Sequence, residues 1–298
     1  RRVWQESRAL THAGYEVVVV CPQGANQDRE RHVVIEGVEI HRYPLRASVG
    51  GPVGFVREYS VALWHSLRLA LRAGRFDVVH ICNPPDLLAL VALPLKLRGA
   101  RVVFDQHDLV PELYLSRFSR GRDLLYRGVG LAEAMTYRTA DVVVATNESY
   151  REVALSRGRK RPDRVFVVRS APDLGRFPET QPDPEIRAGA PHLLAYLGVM
   201  GPQDGVDYAL RALAALRDVE QRTDWRAVFV GGGGAFDDMR ALSASLGLDG
   251  LVTFTGRIPD DALLRVLSSA DVCLAPDPRN PLNDVSTMNK IMEYMATG

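Results

Sequence analysis

Short apolar runs rich in β-branched residues recur along the first half of the chain, with amphipathic stretches of helical periodicity between them. A strand covered on both faces is continuously apolar, so these runs predict the buried strands of a parallel sheet. The predicted strands are Val17–Val20, Val78–Ile81, Val102–Phe104, Val142–Val144 and Val165–Val168. The predicted helices are Val3–Ala13, Glu58–Ala73, Asp86–Arg98, Leu124–Thr139 and Ser149–Arg157. Their alternation predicts an α/β fold with a doubly wound parallel sheet.

The segment Ala171–Pro191 interrupts this alternation, because it is rich in Pro, Asp and Gly and has no periodicity, and it predicts an interdomain linker. Beyond it, strands are predicted at Leu193–Leu197, Ala227–Val230, Val252–Phe254 and Val272–Leu274, and helices at Val206–Leu216, Phe236–Leu246, Asp260–Ser269 and about Thr287–Ala296. We therefore expect two Rossmann-like domains, residues 1–171 and 172–298, facing a ligand cleft at the carboxyl ends of the strands. Both domains are expected to be incomplete, because the chain opens inside a helix and closes just after one.

Charge is divided unequally between the two predicted domains, although the net charge is only +1. Residues 1–171 contain 26 Lys and Arg against 18 Asp and Glu (+8), whereas residues 172–298 contain 11 against 18 (−7). A basic half suits an anionic surface such as phospholipid or a lipid-linked phosphate. Residues 117–127 combine four arginines with Phe, Leu and Tyr, which fits either a peripheral membrane contact or a solvated helix start.

The cysteines and the hydropathy pattern bear on localisation. The three cysteines are scattered, which suits a reducing cytoplasm, and no uninterrupted apolar stretch approaches the length of a membrane span. We therefore expect a cytoplasmic protein, peripheral on the inner face of the plasma membrane, with no nucleic-acid partner.

The last predicted helix and the residues just before it contain several candidate ligand-binding residues. Ser286 or Thr287 can cap it, and its first turn then includes Asn289 and Lys290. A helix N-terminus offers unpaired N–H groups and a positive dipole end, both suited to phosphate. Glu293 lies two turns beyond Ser286 on the same face, where a carboxylate can accept both hydroxyls of a ribose. An ordinary capped amphipathic helix explains the same spacing.

This segment resembles the donor-binding signature of glycosyltransferase family 4, in its Ser-Thr-x-x-Lys-x-x-Glu-Tyr-Met-Ala variant. Glu293 matches the second Glu of the family motif, whereas the first falls on Val285. Further stretches are similar to family landmarks in the same order, among them Gly14–Val17, Gly37–Ile40, Phe76–His80, Asp105–Glu112, Leu197-Gly198, Val230–Gly233 and Phe254–Arg257. The resemblance implies a GT-B fold and a retaining transfer from a nucleotide diphosphate sugar to a lipid-linked or saccharide acceptor, in bacterial cell-surface polysaccharide or glycolipid synthesis.

The resemblance also indicates that this chain lacks the two cationic side chains with which the family binds the donor diphosphate. Alignment on Gly198 and Gly205 places Val199 and Asp204 where the family has the Arg and Lys that grip the diphosphate. Negative charge develops on the leaving oxygen as the sugar bond breaks, so another group has to compensate it. The remaining candidates are Lys290, Arg257 and the helix N-terminus at 286–289.

His107 and Asp108 are the candidates of the first domain. The resemblance puts them in a loop that faces the cleft, where the imidazole can bond the sugar and Asp108 can fix its tautomer. A histidine that satisfies a turn is the alternative. No His, Cys and carboxylate cluster shows metal-ligand spacing along the sequence, so we expect no metal and no cofactor beside the nucleotide-sugar co-substrate.

Two other functions stay open on the sequence. A nucleotide-sugar epimerase shares the fold expected here. A catalytically inactive sugar-nucleotide-binding or scaffold protein would explain the residues at Val285, Val199 and Asp204.

Overall fold

The computed structural model describes residues 2–24, 29–45, 51–118, 121–178 and 180–297. The chain divides into two compact units, the first made of residues 1–115 and 120–169 and the second of residues 116–119 and 170–298. Among the described helices, none is both long and apolar enough to cross a bilayer.

The first unit holds two sheets with helices between their strands. The helices and strands are α1 (Arg2–His12), β1 (Val17–Pro22), β2 (His32–Ile35), β3 (Val38–Tyr43), α2 (Gly51–Ala73), β4 (Val78–Cys82), α3 (Ala89–Lys96), β5 (Arg101–Gln106), α4 (Val110–Phe118, of which residues 116–118 are grouped with the second unit), α5 (Leu124–Thr139), β6 (Val142–Ala145), α6 (Glu148–Ser156) and β7 (Val165–Val167). The strand orders are β1-β3-β2 and β4-β5-β6-β7, and all neighbours are parallel except β2 and β3. Buried Val102, Phe104 and Val143 form the core of the second of these sheets.

The second unit is a single parallel sheet of four strands. Its helices and strands are β8 (His192–Leu197), α7 (Val206–Asp218), β9 (Trp225–Val230), α8 (Phe236–Ser245), β10 (Val252–Gly256), α9 (Asp260–Ser269), β11 (Val272–Leu274) and α10 (Asn289–Thr297). The strand order is β10-β9-β8-β11. Alternate residues of β8 enter the two cores, Leu193 and Ala195 on one face and Tyr196 on the other, so the sheet is covered on both sides. The predicted α/β fold class is therefore confirmed.

The structure adds two features to the predicted elements. The antiparallel pair β2 and β3 is joined by a two-residue turn at Glu36 and Gly37, both with positive φ, of 50° and 81°. Such a turn matches the twist of antiparallel strands. In addition, α4 begins at Val110, directly after the predicted His107 loop, so part of the stretch interpreted as a loop is helical.

The glycine run Gly231–Gly234 follows β9 and packs backbone against backbone on the loop after β8. The amide of Gly198 donates to the Val230 carbonyl at 3.1 Å, and the amide of Met200 donates to the Gly232 carbonyl at 2.8 Å. Gly231 has a φ of +127°, and a Cβ built on it would lie 1.9 Å from the carbonyl oxygen of Gly198. Glycine at 231 therefore allows the two strand-end loops to touch.

This contact predicts different effects for two neighbouring substitutions. Gly231→Ala should destabilise the second unit, by about 1–3 kcal/mol from backbone strain alone, with the clash against Gly198 in addition. Gly232→Ala is the matched control, because a Cβ there meets nothing within 4 Å. Urea unfolding of the two variants measures the difference. Equal stability of both variants would contradict the proposed close approach.

Candidate functional site

In the first unit, a buried carboxylate stands at the carboxyl end of β5. Asp105 is fully buried and is held by two partners, one near the start of the sequence and one only two residues beyond Asp105. Arg2 of α1 donates from Nε and Nη2 to the two carboxylate oxygens, both at 2.8 Å, and the His107 ring nitrogen Nε2 lies 2.5 Å from Oδ2. His80 in the middle of β4 adds a weaker contact at 3.6 Å.

These hydrogen-bonding partners determine the ionisation of Asp105. Burial alone would raise its pKa, but hydrogen bonds from His107, His80 and Arg2 outweigh burial and hold the pKa well below the usual range. An ionised Asp105 accepts the Nε2 proton of His107, so Nδ1 is the ring nitrogen left to meet a ligand. The carboxylate that fixes the His107 ring is thus Asp105 and not Asp108, because residues two apart in extended backbone lie on one side.

The loop that carries His107 and Asp108 is fixed by hydrogen bonds to Asn83, a buried residue just beyond β4. Its Oδ1 accepts the amides of His107 at 2.8 Å and Asp108 at 3.2 Å, and its Nδ2 donates to the Asp108 carbonyl at 2.8 Å. Nδ2 also donates to buried Asp86 at 2.8 Å. Burial raises the pKa of Asp86 to about 7. Asn83 thereby uses its whole side chain to fix the loop.

In the second unit, α10 begins at Asn289, two residues beyond Thr287. Ser286 ends the preceding 3-10 turn over Asn283–Val285, and its hydroxyl donates to the Leu282 carbonyl at 2.8 Å. The predicted helix start was therefore two residues too early. Asn289 is the first helical residue and is exposed.

Lys290 lies in the first turn of α10, as predicted, but it has a partner inside the chain. Its ammonium group donates to both carboxylate oxygens of Asp277, at 2.8 and 2.9 Å, and lies 4.9 Å from the centre of the Tyr196 ring. The two charged side chains are 10% and 8% exposed. The pair is therefore nearly neutral as a unit, and Asp277 competes with any bound phosphate for Lys290.

Asp204 and Val199, which stand at the positions of the missing cations, shape the loop between β8 and α7. Asp204 accepts the amide of Gly201 at 2.8 Å. Burial raises the pKa of Asp204, although this bond and the Lys290 charge oppose the shift. Val199 is exposed, and its carbonyl accepts the Tyr196 hydroxyl at 3.0 Å. The acid at 204 therefore has a structural role within the loop.

Arg257 and Glu293 belong to different parts of the sheet, because Arg257 follows the edge strand β10 and Glu293 lies on α10, which is bonded to β8 and the opposite edge strand β11. Arg257 follows β10 and is exposed, and it forms no ion pair with any residue in the described part of the chain. The preceding Gly256 accepts the amide of Gly231 at 2.9 Å, which connects the end of β10 to the glycine turn.

Glu293 is half-buried on α10. Next to it, the Tyr294 hydroxyl accepts the Leu197 amide and donates to the Leu274 carbonyl, both at 2.9 Å, which fixes α10 on β8 and β11.

The predicted residues thus form two groups, with His107 and Asp108 in the first unit. The second group lies around the carboxyl ends of the parallel strands of the second unit, where Rossmann-like sheets bind ligands, and consists of Gly198, Arg257, Ser286, Thr287, Asn289, Lys290 and Glu293. Sequence reasoning missed Asp105, Asn83 and Asp277, which hold the predicted residues in place. For Asp105 a signal existed, since it stands two residues before His107 at the end of a predicted strand.

Comparison with known proteins gives two family matches along the chain. Residues 1–171 match the profile of the glycosyl transferase 4-like domain, and residues 191–298 match that of glycosyl transferases group 1. A 2-deoxystreptamine N-acetyl-D-glucosaminyltransferase of Streptomyces fradiae is 30% identical over 308 residues, which cover 93% of this chain and 68% of the relative.

Solved structures share the fold. Sucrose-phosphate synthase from Thermosynechococcus elongatus superposes with a TM-score of 0.76 at 20% identity, over 100% of this chain and 73% of that one. The E. coli trehalose-6-phosphate protein bound with UDP-2-fluoro glucose superposes with a TM-score of 0.68 at 14% identity, over 97% of this chain and 77% of that one.

The pairing of Lys290 with Asp277 predicts a stability effect. Lys290→Met leaves Asp277 as an uncompensated buried charge and should lower the free energy of unfolding by about 3–5 kcal/mol. The double variant Lys290→Met/Asp277→Asn should recover most of this loss, since no charge is then left alone. Arg161→Met, which breaks the exposed pair with Asp163, is the control and should change stability little. Additive losses in the double variant would show that the two charges do not interact.

Proposed function

This chain belongs to the glycosyltransferases that combine a 4-like domain with a group 1 domain, and we propose that it transfers the sugar with retention of anomeric configuration. Transfer of a glycosyl group from a nucleotide-sugar follows from the membership. The observation that carries the proposal for the site is the placement of Glu293. Helix α10 is fixed on β8 and β11 through Tyr294, so Glu293 stands at the strand ends where it can accept the ribose hydroxyls.

The donor diphosphate needs positive charge, and two cationic side chains are candidates to supply it. Arg257 comes first, because it is exposed beside the glycine turn and has no ion-pair partner in the described part of the chain. Lys290 comes second, because Asp277 already neutralises it. Exposed backbone N–H groups of the glycine turn and of the α10 start supplement both. We propose that Arg257 carries the donor phosphates and that Lys290 contributes as charge develops on the leaving oxygen.

In the first unit, His107 is the proposed contact to the transferred sugar. Asp105 holds Nε2, so the ring presents Nδ1 in a fixed orientation. Asn83 fixes the backbone on which that ring stands. Such preorganisation lowers the cost of ordering the group during the reaction. Asp108 is a second candidate within the same loop.

The donor proposal predicts which nucleotide-sugar binds and which substitutions weaken that binding. Among UDP-, GDP- and ADP-sugars we expect a UDP-sugar to bind, because the similarly folded E. coli protein binds UDP-2-fluoro glucose. Glu293→Gln should weaken binding by about 1–3 kcal/mol in calorimetry, through the loss of charge-assisted hydrogen bonds. Arg257→Met should weaken it as well. Arg279→Met, at a 93% exposed arginine of the same unit, is the matched control.

Proton NMR of the product tests retention, since the anomeric coupling constant reports its configuration. Inversion would refute the retaining mechanism and leave glycosyl transfer intact. Donor binding without transfer to any acceptor would favour the inactive scaffold, and epimerised nucleotide-sugar would favour the epimerase. Unchanged affinity in Glu293→Gln would remove the ribose role.

For the acceptor, we propose a lipid-linked saccharide of the bacterial cell surface, held at an anionic membrane. The residues 1–171 carry a balance of +8 (26 basic against 18 acidic). In the first half of α5, Leu124 is 80% and Leu131 67% exposed, and Arg122 and Arg127 are exposed in the same stretch of the sequence. Residues 119–120 of the predicted membrane segment lie outside the described residues. A cationic amine acceptor, such as the 2-deoxystreptamine named for the Streptomyces relative, suits this basic half less well.

If the protein contacts an anionic membrane, it should sediment with vesicles of phosphatidylglycerol and should be released from them at higher salt. Leu124→Glu/Leu131→Glu should abolish co-sedimentation, because the apolar face of α5 becomes anionic. Leu97→Glu is the control, since Leu97 is 82% exposed elsewhere in the first unit. Equal sedimentation with neutral and anionic vesicles, or equal loss in the control, would favour a soluble saccharide acceptor.

A further inference from the structure

The hairpin of β2 and β3 brings together two histidines and a glutamate on one face. The two-residue turn at Glu36 and Gly37 pairs Ile35 with Val38, and counting three residues outward on each strand pairs His32 with His41. Because side chains alternate along a strand, Glu39 stands on the same face as His41. The opposite face carries Val38 and Ile40, which are buried in the core.

The donor atoms of these three side chains converge. Glu39 Oε1 lies 3.0 Å from His32 Nε2 and 2.9 Å from His41 Nε2. The two rings stack with their centres 4.7 Å apart, and both Nε2 atoms face the same Glu39 oxygen. All three donor atoms lie within 4.8 Å of one another. Hydrogen bonds from His32 and His41 lower the pKa of Glu39, which keeps the carboxylate ionised.

We infer that His32, Glu39 and His41 form a binding site for a divalent transition-metal ion of the zinc class. Two imidazoles and one carboxylate are ligands that Zn²⁺, Ni²⁺ and Cu²⁺ accept, whereas Mg²⁺ and Ca²⁺ favour sites made of oxygen atoms alone. Zinc bonds to such ligands measure about 2.0–2.2 Å, which in tetrahedral geometry separates the ligand atoms by about 3.3 Å. The present separations of 2.9 and 3.0 Å need to open by only a few tenths of an ångström.

The surroundings of the site suit a metal with an open position. The side chains of His32 and Glu39 are 56% and 43% exposed, so water completes the coordination. On binding, each Nε2 loses the proton that it donates to Glu39, either to Nδ1 of the same ring or to water, so that its lone pair goes to the metal and the neutral ring carries its proton on Nδ1. Strand β2 is at the edge of the β1-β3-β2 sheet, so the metal would link this edge strand to β3 through side chains.

The test is a Zn²⁺ titration of the untagged protein, followed by calorimetry in a non-coordinating buffer. One equivalent should bind, and Zn²⁺ should raise the melting temperature of the wild type. Loss of an outer-shell partner alone weakens metal binding about 10–100-fold, so His32→Gln and His41→Gln should each weaken it by more than about tenfold. His192→Gln is the matched control, since His192 is 51% exposed beside Asp224 in the second unit.

A second cluster, His80 with Cys82 and Asp105, serves as the competing site. Arg2 pairs with Asp105 there, and its positive charge disfavours a cation. Co²⁺ distinguishes the two, because a site that includes Cys82 gives a thiolate charge-transfer band and the hairpin site does not. Wild-type affinity in His41→Gln, binding lost in Cys82→Ser, or no binding to the wild type would each overturn the inference.

Discussion

Two buried carboxylates, Asp105 and Asp277, lie at the carboxyl ends of parallel strands, and the chain supplies the opposite charge for each of them. In the first unit, Asp105 stays ionised because Arg2 and His107 bond to it. In the second unit, Asp277 and Lys290 neutralise each other beneath the start of α10. A single unpaired charge in either place would cost several kcal/mol, so each pair keeps its side chains in one arrangement.

This pairing decides which groups remain for the substrate of a glycosyltransferase. The sequence pattern predicts that Lys290 binds phosphate, but its ammonium group already forms an ion pair with Asp277. Asp204 stands at the position of a family lysine, and it closes the loop after β8 by accepting the Gly201 amide. Arg257 remains exposed at the end of β10. The proposed donor site therefore relies on one arginine and on backbone amides more than on a pair of cationic side chains.

Much of the fold could be predicted, because strands buried on both faces leave a continuous apolar signal. The predicted bounds of α5, α9 and β11 agree with the structure. The edge strand β2 was missed, since its residues are largely exposed and its pairing depends on the turn at Glu36 and Gly37. Helix α10 begins two residues later than predicted, because Ser286 completes the preceding turn and does not cap the helix. No distinct sequence pattern marks this difference.

The sequence by itself determined the fold class and the family, and it made His107, Lys290 and Glu293 candidates for the site, since each lies in a local pattern that sequence retains. Only the tertiary structure decided their partners. Asp105 meets Arg2 across 103 residues, and Lys290 meets Asp277 across 13. His32 meets His41 only through the hairpin register. Such contacts depend on strand order, register and loop geometry, and these are set by the packing of the whole unit.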